Sequence, residues 1–90
     1  MAPAPYADQL SFTAASGAGY IDVTAEIHTT GPVAVTVTAT AGGVTVTLGS
    51  GTVNGWQTYS GRIEGLAGGQ TYELVVQGGG MTRSKSIPVF

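Results

Sequence analysis

Apolar and polar residues alternate with a period of two along most of this chain, which is the pattern of strands that bury one face. The clearest run covers residues 20–28, where every second position is apolar: Ile21, Val23, Ala25 and Ile27. No stretch repeats the i, i+3, i+4 apolar spacing over three helical turns, so no amphipathic helix is predicted. The pattern therefore predicts an all-β chain.

Short strands separated by glycine-rich turns are predicted along the whole chain. They lie near residues 9–14, 20–28, 33–40, 44–48, 57–63, 72–77 and 83–89. Gly49-Ser50-Gly51 is expected to end the fourth strand, and Pro88 predicts an edge position or a bulge for the last one. This spacing is typical of an antiparallel sandwich with Greek-key connections.

Gly42-Gly43 predicts the tightest hairpin, because it links two β-branched runs and favours the mirror-image turns that match strand twist. In the two-residue register, Thr40 faces Thr45 and Thr38 faces Thr47. The small apolar residues then share the inner face. Threonines meet on the outer face and form a nearly uncharged two-strand patch.

A turn leading into the sixth strand carries a tyrosine-corner pattern, in the run Leu66-Ala67-Gly68-Gly69-Gln70-Thr71-Tyr72. In such a corner the phenol ring packs inward and its hydroxyl bonds to upstream backbone. We assign Leu66, Gly69 and Tyr72 to this structural role.

The stretch from Tyr59 to Val89, above all Y-S-G-R-I-E-G-L-A-G-G-Q-T-Y-E-L-V-V-Q, resembles the late strands of the fibronectin type III and bacterial immunoglobulin-like families. Gly68 stands where the family's L-x-P-G-x-x-Y corner has proline. The resemblance implies a seven-stranded antiparallel Greek-key sandwich of the immunoglobulin-like or fibronectin type III-like kind. We expect an extended proline-rich arm over residues 1–8 and one sandwich domain over residues 9–90.

Composition narrows the possible functions. The chain has 90 residues, enough for one domain, and only 9% of them are charged. Three basic residues cannot form a phosphate-tracking patch, so no nucleic-acid partner is expected. The absence of cysteine excludes disulfides, thiolate metal sites and cysteine nucleophiles. No segment resembles a secretory signal or a membrane span, which fits either a complete small gene product or a module of a larger exported protein.

No catalytic or metal-binding pattern stands out. His28 is the single histidine, and Asp22 and Glu26 share its face without the dense oxygen ligands of a calcium loop. No serine lies in a G-x-S-x-G motif, and Gly78-Gly79-Gly80 has no following helix or lysine to make a phosphate loop. We therefore expect neither an enzyme nor a cofactor.

The hypothesis from these patterns is a structural or interaction module that docks onto a larger assembly or onto neighbouring subunits. Its binding residues would be Pro3, Pro5 and Tyr6 in the arm, and the outward threonines of the hairpin: Thr36, Thr38, Thr45 and Thr47. Small sandwiches of this kind resemble those that decorate phage capsids and tails, which implies a virion surface location.

Trp56 supports an alternative. We favour the interpretation that its ring folds back as a lid over one end of the sandwich, but an exposed indole could instead anchor a protein or a carbohydrate. With Tyr59 it would form a sugar-stacking platform. The protein would then be a spacer or carbohydrate-contacting module of an exported bacterial enzyme or adhesin, located outside the cell.

Overall fold

The computed structural model describes residues 4–90; Pro3, one of the predicted docking residues, lies outside them. The described chain contains no helix and is built from strands joined by tight turns. The strands are β1 (Ala7–Gly17), β2 (Tyr20–Thr29), β3 (Val33–Ala41), β4 (Val44–Val53), β5 (Trp56–Ile63), β6 (Gln70–Gly78) and β7 (Met81–Val89). Ala7 and Asp8, which the sequence pattern assigns to the arm, are the first residues of β1.

The strands form two antiparallel sheets, which confirms the predicted all-β class and the strand number. One sheet has three strands in the order β1-β2-β5, and the other has four in the order β4-β3-β6-β7. β7 lies at an edge of its sheet, as Pro88 predicted, because proline cannot donate a ladder hydrogen bond.

The core lies between the two sheets and explains the period-two pattern. Alternate side chains of both sheets are fully buried and belong to one hydrophobic cluster, among them Ile21, Ile27, Ile63, Val37, Leu74 and Val76. Because one cluster draws on both sheets, the sheets pack face to face in a sandwich-like arrangement.

The β3–β4 hairpin has the predicted register. Thr40 pairs with Thr45 and Thr38 with Thr47, and the Thr40 and Thr45 hydroxyl oxygens are 2.9 Å apart. The turn residues Gly42 and Gly43 have φ angles of 57° and 78°. Positive φ at both central positions is what a type I′ turn requires.

The expected end of β4 at Gly49-Ser50-Gly51 is wrong, since β4 continues to Val53. A bulge between Val37 and Thr38 shifts the register, and pairing with β3 then resumes. A Cβ on Gly49 would overlap the ring of Tyr59. Glycine here makes room for a side chain of the facing sheet rather than forming a turn.

Tyr72 marks the connection between β5 and β6. Its hydroxyl accepts a hydrogen bond from the Ala67 N–H (2.9 Å) and lies 3.3 Å from the Ala67 carbonyl, to which it donates. The ring packs against the core, and Leu66 of the same turn is buried. Gly69 has a φ of 73°, a conformation that glycine adopts without steric cost.

The two ends of the described chain lie at opposite ends of the molecule. Tyr6 pairs with Thr30 beside the start of β1, while Phe90 bonds to Gly17 and Gly19 at the end of β1. β1 is 11 residues long, so these ends are separated by roughly 35 Å of extended strand.

Candidate functional site

The outward side of the four-stranded sheet carries two complete rows of uncharged side chains. In one row Thr45, Thr40, Val75 and Ser84 lie side by side; in the other the residues are Thr47, Thr38, Gln77 and Thr82. We call these eight residues the hydroxyl face. It includes three of the four threonines predicted from the hairpin.

The hydroxyl face is accessible and contains no ionisable group. Thr45 and Thr47 are exposed, whereas the central Thr38 and Thr40 are half-buried between neighbouring strands. Thr36 lies two residues before Thr38 in β3, opposite Ser50, and is exposed. An open surface depression lies beside the face, lined by Thr36, Thr38, Gln77 and Thr82 together with the Gly79-Gly80 turn.

Strand order explains why sequence reasoning found only half of this face. The hairpin register places the threonines of β3 and β4 together, because a two-residue turn determines which residues are opposite. Pairing of β3 with β6 is a long-range contact, so nothing in the local pattern indicates that Gln77 and Thr82 continue the same row.

The described part of the arm is attached to its own chain. The Thr30 N–H donates to the Tyr6 carbonyl (2.9 Å), and the Tyr6 N–H donates to the Thr30 hydroxyl (3.0 Å). The Pro5 ring lies over Gly31. The Tyr6 side chain is 57% exposed. Thr30 follows β2, so the arm extends the three-stranded sheet and is not part of the hydroxyl face.

Trp56 is 58% exposed, so the interpretation of this residue as a lid is wrong. It is the first residue of β5, opposite His28 in the register, and both side chains point away from the core. The two rings have centroids 4.8 Å apart and are tilted by 52°. The indole cannot fold inward because its neighbours Gln57 and Tyr59 occupy the inward positions of β5.

Asp8 and Trp56 both contact His28, and the sequence pattern did not predict the Asp8 contact. The His28 Nδ1 lies 2.5 Å from an Asp8 carboxylate oxygen, and both side chains are about 30% exposed. Asp8 looks isolated in the sequence, in the segment predicted as an arm. The register shift between Ala7 and Gln9 in β1 places Asp8 beside His28.

Tyr59 does not join Trp56 in a platform, so that part of the carbohydrate hypothesis is wrong. Its ring is half-buried, packs against the core and lies over Gly49. Residues 56 and 59 differ by an odd number of positions in one strand, and their side chains therefore point to opposite faces of the sheet.

Opposite charges pair across the outward side of the three-stranded sheet. Arg62 donates from Nε and Nη2 to the two carboxylate oxygens of Asp22, at 2.6 and 3.1 Å. This hydrogen bonding lowers the pKa of Asp22 and raises that of Arg62. The same guanidinium lies 4.0 Å from the centroid of the Tyr20 ring. Both charges are thus held away from the hydroxyl face.

Within residues 4–90, no three His, Cys, Asp or Glu side chains come together as a group that could hold a metal ion. The same residues include no helix that is long and apolar enough to cross a membrane.

Comparisons of the chain with protein-family models, curated proteins and solved structures found no match.

Proposed function

We propose that this chain is a non-catalytic interaction module that docks onto a larger assembly through its hydroxyl face. The observation that carries the proposal is the pair of uncharged rows across all four strands of one sheet. Soluble proteins normally place mixed charges on their surfaces to prevent association. A face without ions can be covered by a partner without the cost of desolvating a charge.

We further propose an immunoglobulin-like sandwich with the Greek-key connections of the fibronectin type III group. The strand orders β1-β2-β5 and β4-β3-β6-β7 support this assignment, as does the tyrosine corner at Tyr72. The assembly we propose is a phage capsid or tail, on which this protein would be a decoration.

The first experiment asks whether the native protein is free or attached. Sedimentation of material from its natural source, followed with an antibody to the chain, should recover it with a particle much larger than one domain. Recovery of the whole population as free protein would refute the proposal.

Variants then test the face itself. Thr38→Lys with Gln77→Lys places two charges opposite each other at its centre and should abolish reattachment to stripped particles. The matched control is Thr24→Lys with Ser60→Lys, an opposing pair on the outward side of the other sheet. The control pair should reattach normally. Equal loss in both double variants would contradict a specific role of the hydroxyl face.

A second candidate function rests on Trp56. An indole that is 58% exposed beside a histidine ring offers a surface on which a sugar ring can stack. In this alternative the protein is a carbohydrate-contacting or spacer module of an exported bacterial enzyme or adhesin. Affinity electrophoresis in gels containing polysaccharide should retard the parent protein and the Tyr6→Ala variant, but not Trp56→Ala. Unretarded migration of the parent protein would exclude this function for the polysaccharides used.

A further inference from the structure

Four strands form the edges of the two sheets, and three of them carry features that discourage pairing with another chain. β1 has a register shift next to Asp8, and its Leu10 carbonyl accepts a hydrogen bond from Arg83. β7 contains Arg83, Lys85 and Pro88. β5 contains Arg62 and begins at the bulky Trp56. Charges, bulges and proline are the usual means by which proteins protect sheet edges.

β4 is the exception over its first four residues, because its one such feature, the bulge at Leu48, lies beyond them. Its ten residues, VTVTLGSGTV, include neither a charge nor a proline. The sheet order gives β4 one neighbour, β3. The segment Val44–Thr47 before the bulge alternates valine with threonine, and such β-branched residues pair readily with another strand.

Turn geometry identifies the free backbone groups of this edge. In a hairpin with a two-residue type I′ turn, the residues that flank the turn exchange hydrogen bonds with each other. Here those residues are Ala41 and Val44, so the N–H and C=O groups of Val44 and Val46 point toward β3. The groups of Thr45 and Thr47 consequently point away from β3. β7 follows a comparable Gly79-Gly80 turn. By the same alternation, the backbone nitrogen and carbonyl of Pro88 point away from β6, toward the free edge of the sheet.

We propose that the β4 edge pairs with β4 of a second copy of this chain, antiparallel and centred on Val46. In this register Thr45 of each copy lies opposite Thr47 of the other, and their outward N–H and C=O groups can form four hydrogen bonds. Antiparallel pairing of a strand with its own copy is two-fold symmetric and closes as a dimer.

Charge and packing favour a second copy as the occupant. In this register only Val46 faces its own equivalent, but the two copies of Val44–Leu48 lie side by side, so charges of one sign on this segment would lie close together and repel; β4 has none. Val44 and Val46 pack against the core but are only half-buried, and the second copy would cover them. The two hydroxyl faces would become one continuous surface. The pairing uses the backbone groups of Thr45 and Thr47, whereas docking uses the side chains of the hydroxyl face, so the two proposals can fail separately.

Thr47→Pro provides a sharp test. Proline removes the N–H that points away from β3 toward the second copy, and it removes no hydrogen bond to β3. The matched control is Ser84→Pro. Ser84 is the fourth residue after its hairpin turn, as Thr47 is, and its N–H points away from β6. Light scattering coupled to size exclusion, at concentrations up to about 1 mM, should give the mass of two 9.0-kDa chains for the parent and for Ser84→Pro. Thr47→Pro should give the mass of one chain.

A parent protein that stays monomeric over this range would overturn the proposal, and so would a dimer that survives Thr47→Pro. Binding of an extended peptide from another protein to a monomeric parent would assign the edge to a different occupant and also overturn it. Hydrogen exchange on the unsubstituted protein provides a second measurement if Thr47→Pro fails to fold. The amides of Thr45 and Thr47 should be protected at high concentration and exchange faster on dilution; exchange independent of concentration would refute the pairing.

Discussion

The aromatic ring of Tyr59 in β5 lies against the backbone of Gly49 in β4, filling the space that a Cβ would occupy. The contact joins the two sheets along one side of the core. Gly49→Ala should therefore destabilise the protein by about 1–3 kcal/mol, because the added methyl displaces the ring. Where space allows, the same change usually stabilises a protein by about 0.4–1 kcal/mol. Urea denaturation, followed by tryptophan fluorescence, measures the difference in free energy of unfolding between Gly49→Ala and the parent.

A double variant isolates this contact. In a Tyr59→Ala background the space is empty, so adding Gly49→Ala should cost little or increase stability. An equal loss of stability in both backgrounds would show that the alanine acts through something other than the Tyr59 ring.

Tyr72→Phe should lower the free energy of unfolding by about 1 kcal/mol, because both hydrogen bonds between the phenol and Ala67 are lost. Tyr6→Phe is the matched control, since the Tyr6 ring is exposed. The control should differ from the parent by less than about 0.5 kcal/mol. Thermal and urea unfolding would measure the loss of stability in each variant. Equal losses in Tyr72→Phe and Tyr6→Phe would contradict a special role for the corner.

Arg83→Met should cost about 1 kcal/mol of stability, because the guanidinium Nε donates to the Leu10 carbonyl across the gap between the two sheets. Lys85→Met is the control: Lys85 extends from the same face of β7 two residues later and is exposed. The control should be nearly neutral in urea unfolding. Hydrogen exchange should also increase in β1 for Arg83→Met alone. Unchanged protection of β1 would argue against the cross-sheet bond.

Asp22→Asn should remove a pH-dependent part of the stability. The hydrogen bonds from Arg62 lower the pKa of Asp22 in the folded state, below its ordinary value of 3.8. A lowered folded-state pKa stabilises the protein above that ordinary value, and the contribution disappears as pH falls through the lowered pKa. The parent should therefore be slightly more stable than Asp22→Asn at pH 7, and the two should converge as the pH falls below the lowered pKa of Asp22.

Glu26→Gln is the control for this effect, because Glu26 lies on the same face opposite Thr58 and Ser11 rather than a cation. Thermal unfolding of the parent, Asp22→Asn and Glu26→Gln at a series of pH values measures how the stability of each depends on pH. A constant difference between parent and Asp22→Asn from pH 7 to about pH 2 would exclude the ion pair as its source. High salt should reduce the effect, since both groups are about half exposed.

The amino-acid sequence alone determined the strands, their inward faces and the β3–β4 register, because period-two alternation and the Gly42-Gly43 turn are local properties of the chain. It misassigned Gly49, Trp56 and Asp8, whose roles depend on side chains or register shifts elsewhere in the fold. Only the tertiary structure decided that Tyr59 lies over Gly49 and that Asp8 reaches His28. The tertiary structure also decided which strands lie at the sheet edges and which residues of β6 and β7 continue the threonine rows of the β3–β4 hairpin. Pairing between distant strands depends on how the whole core packs.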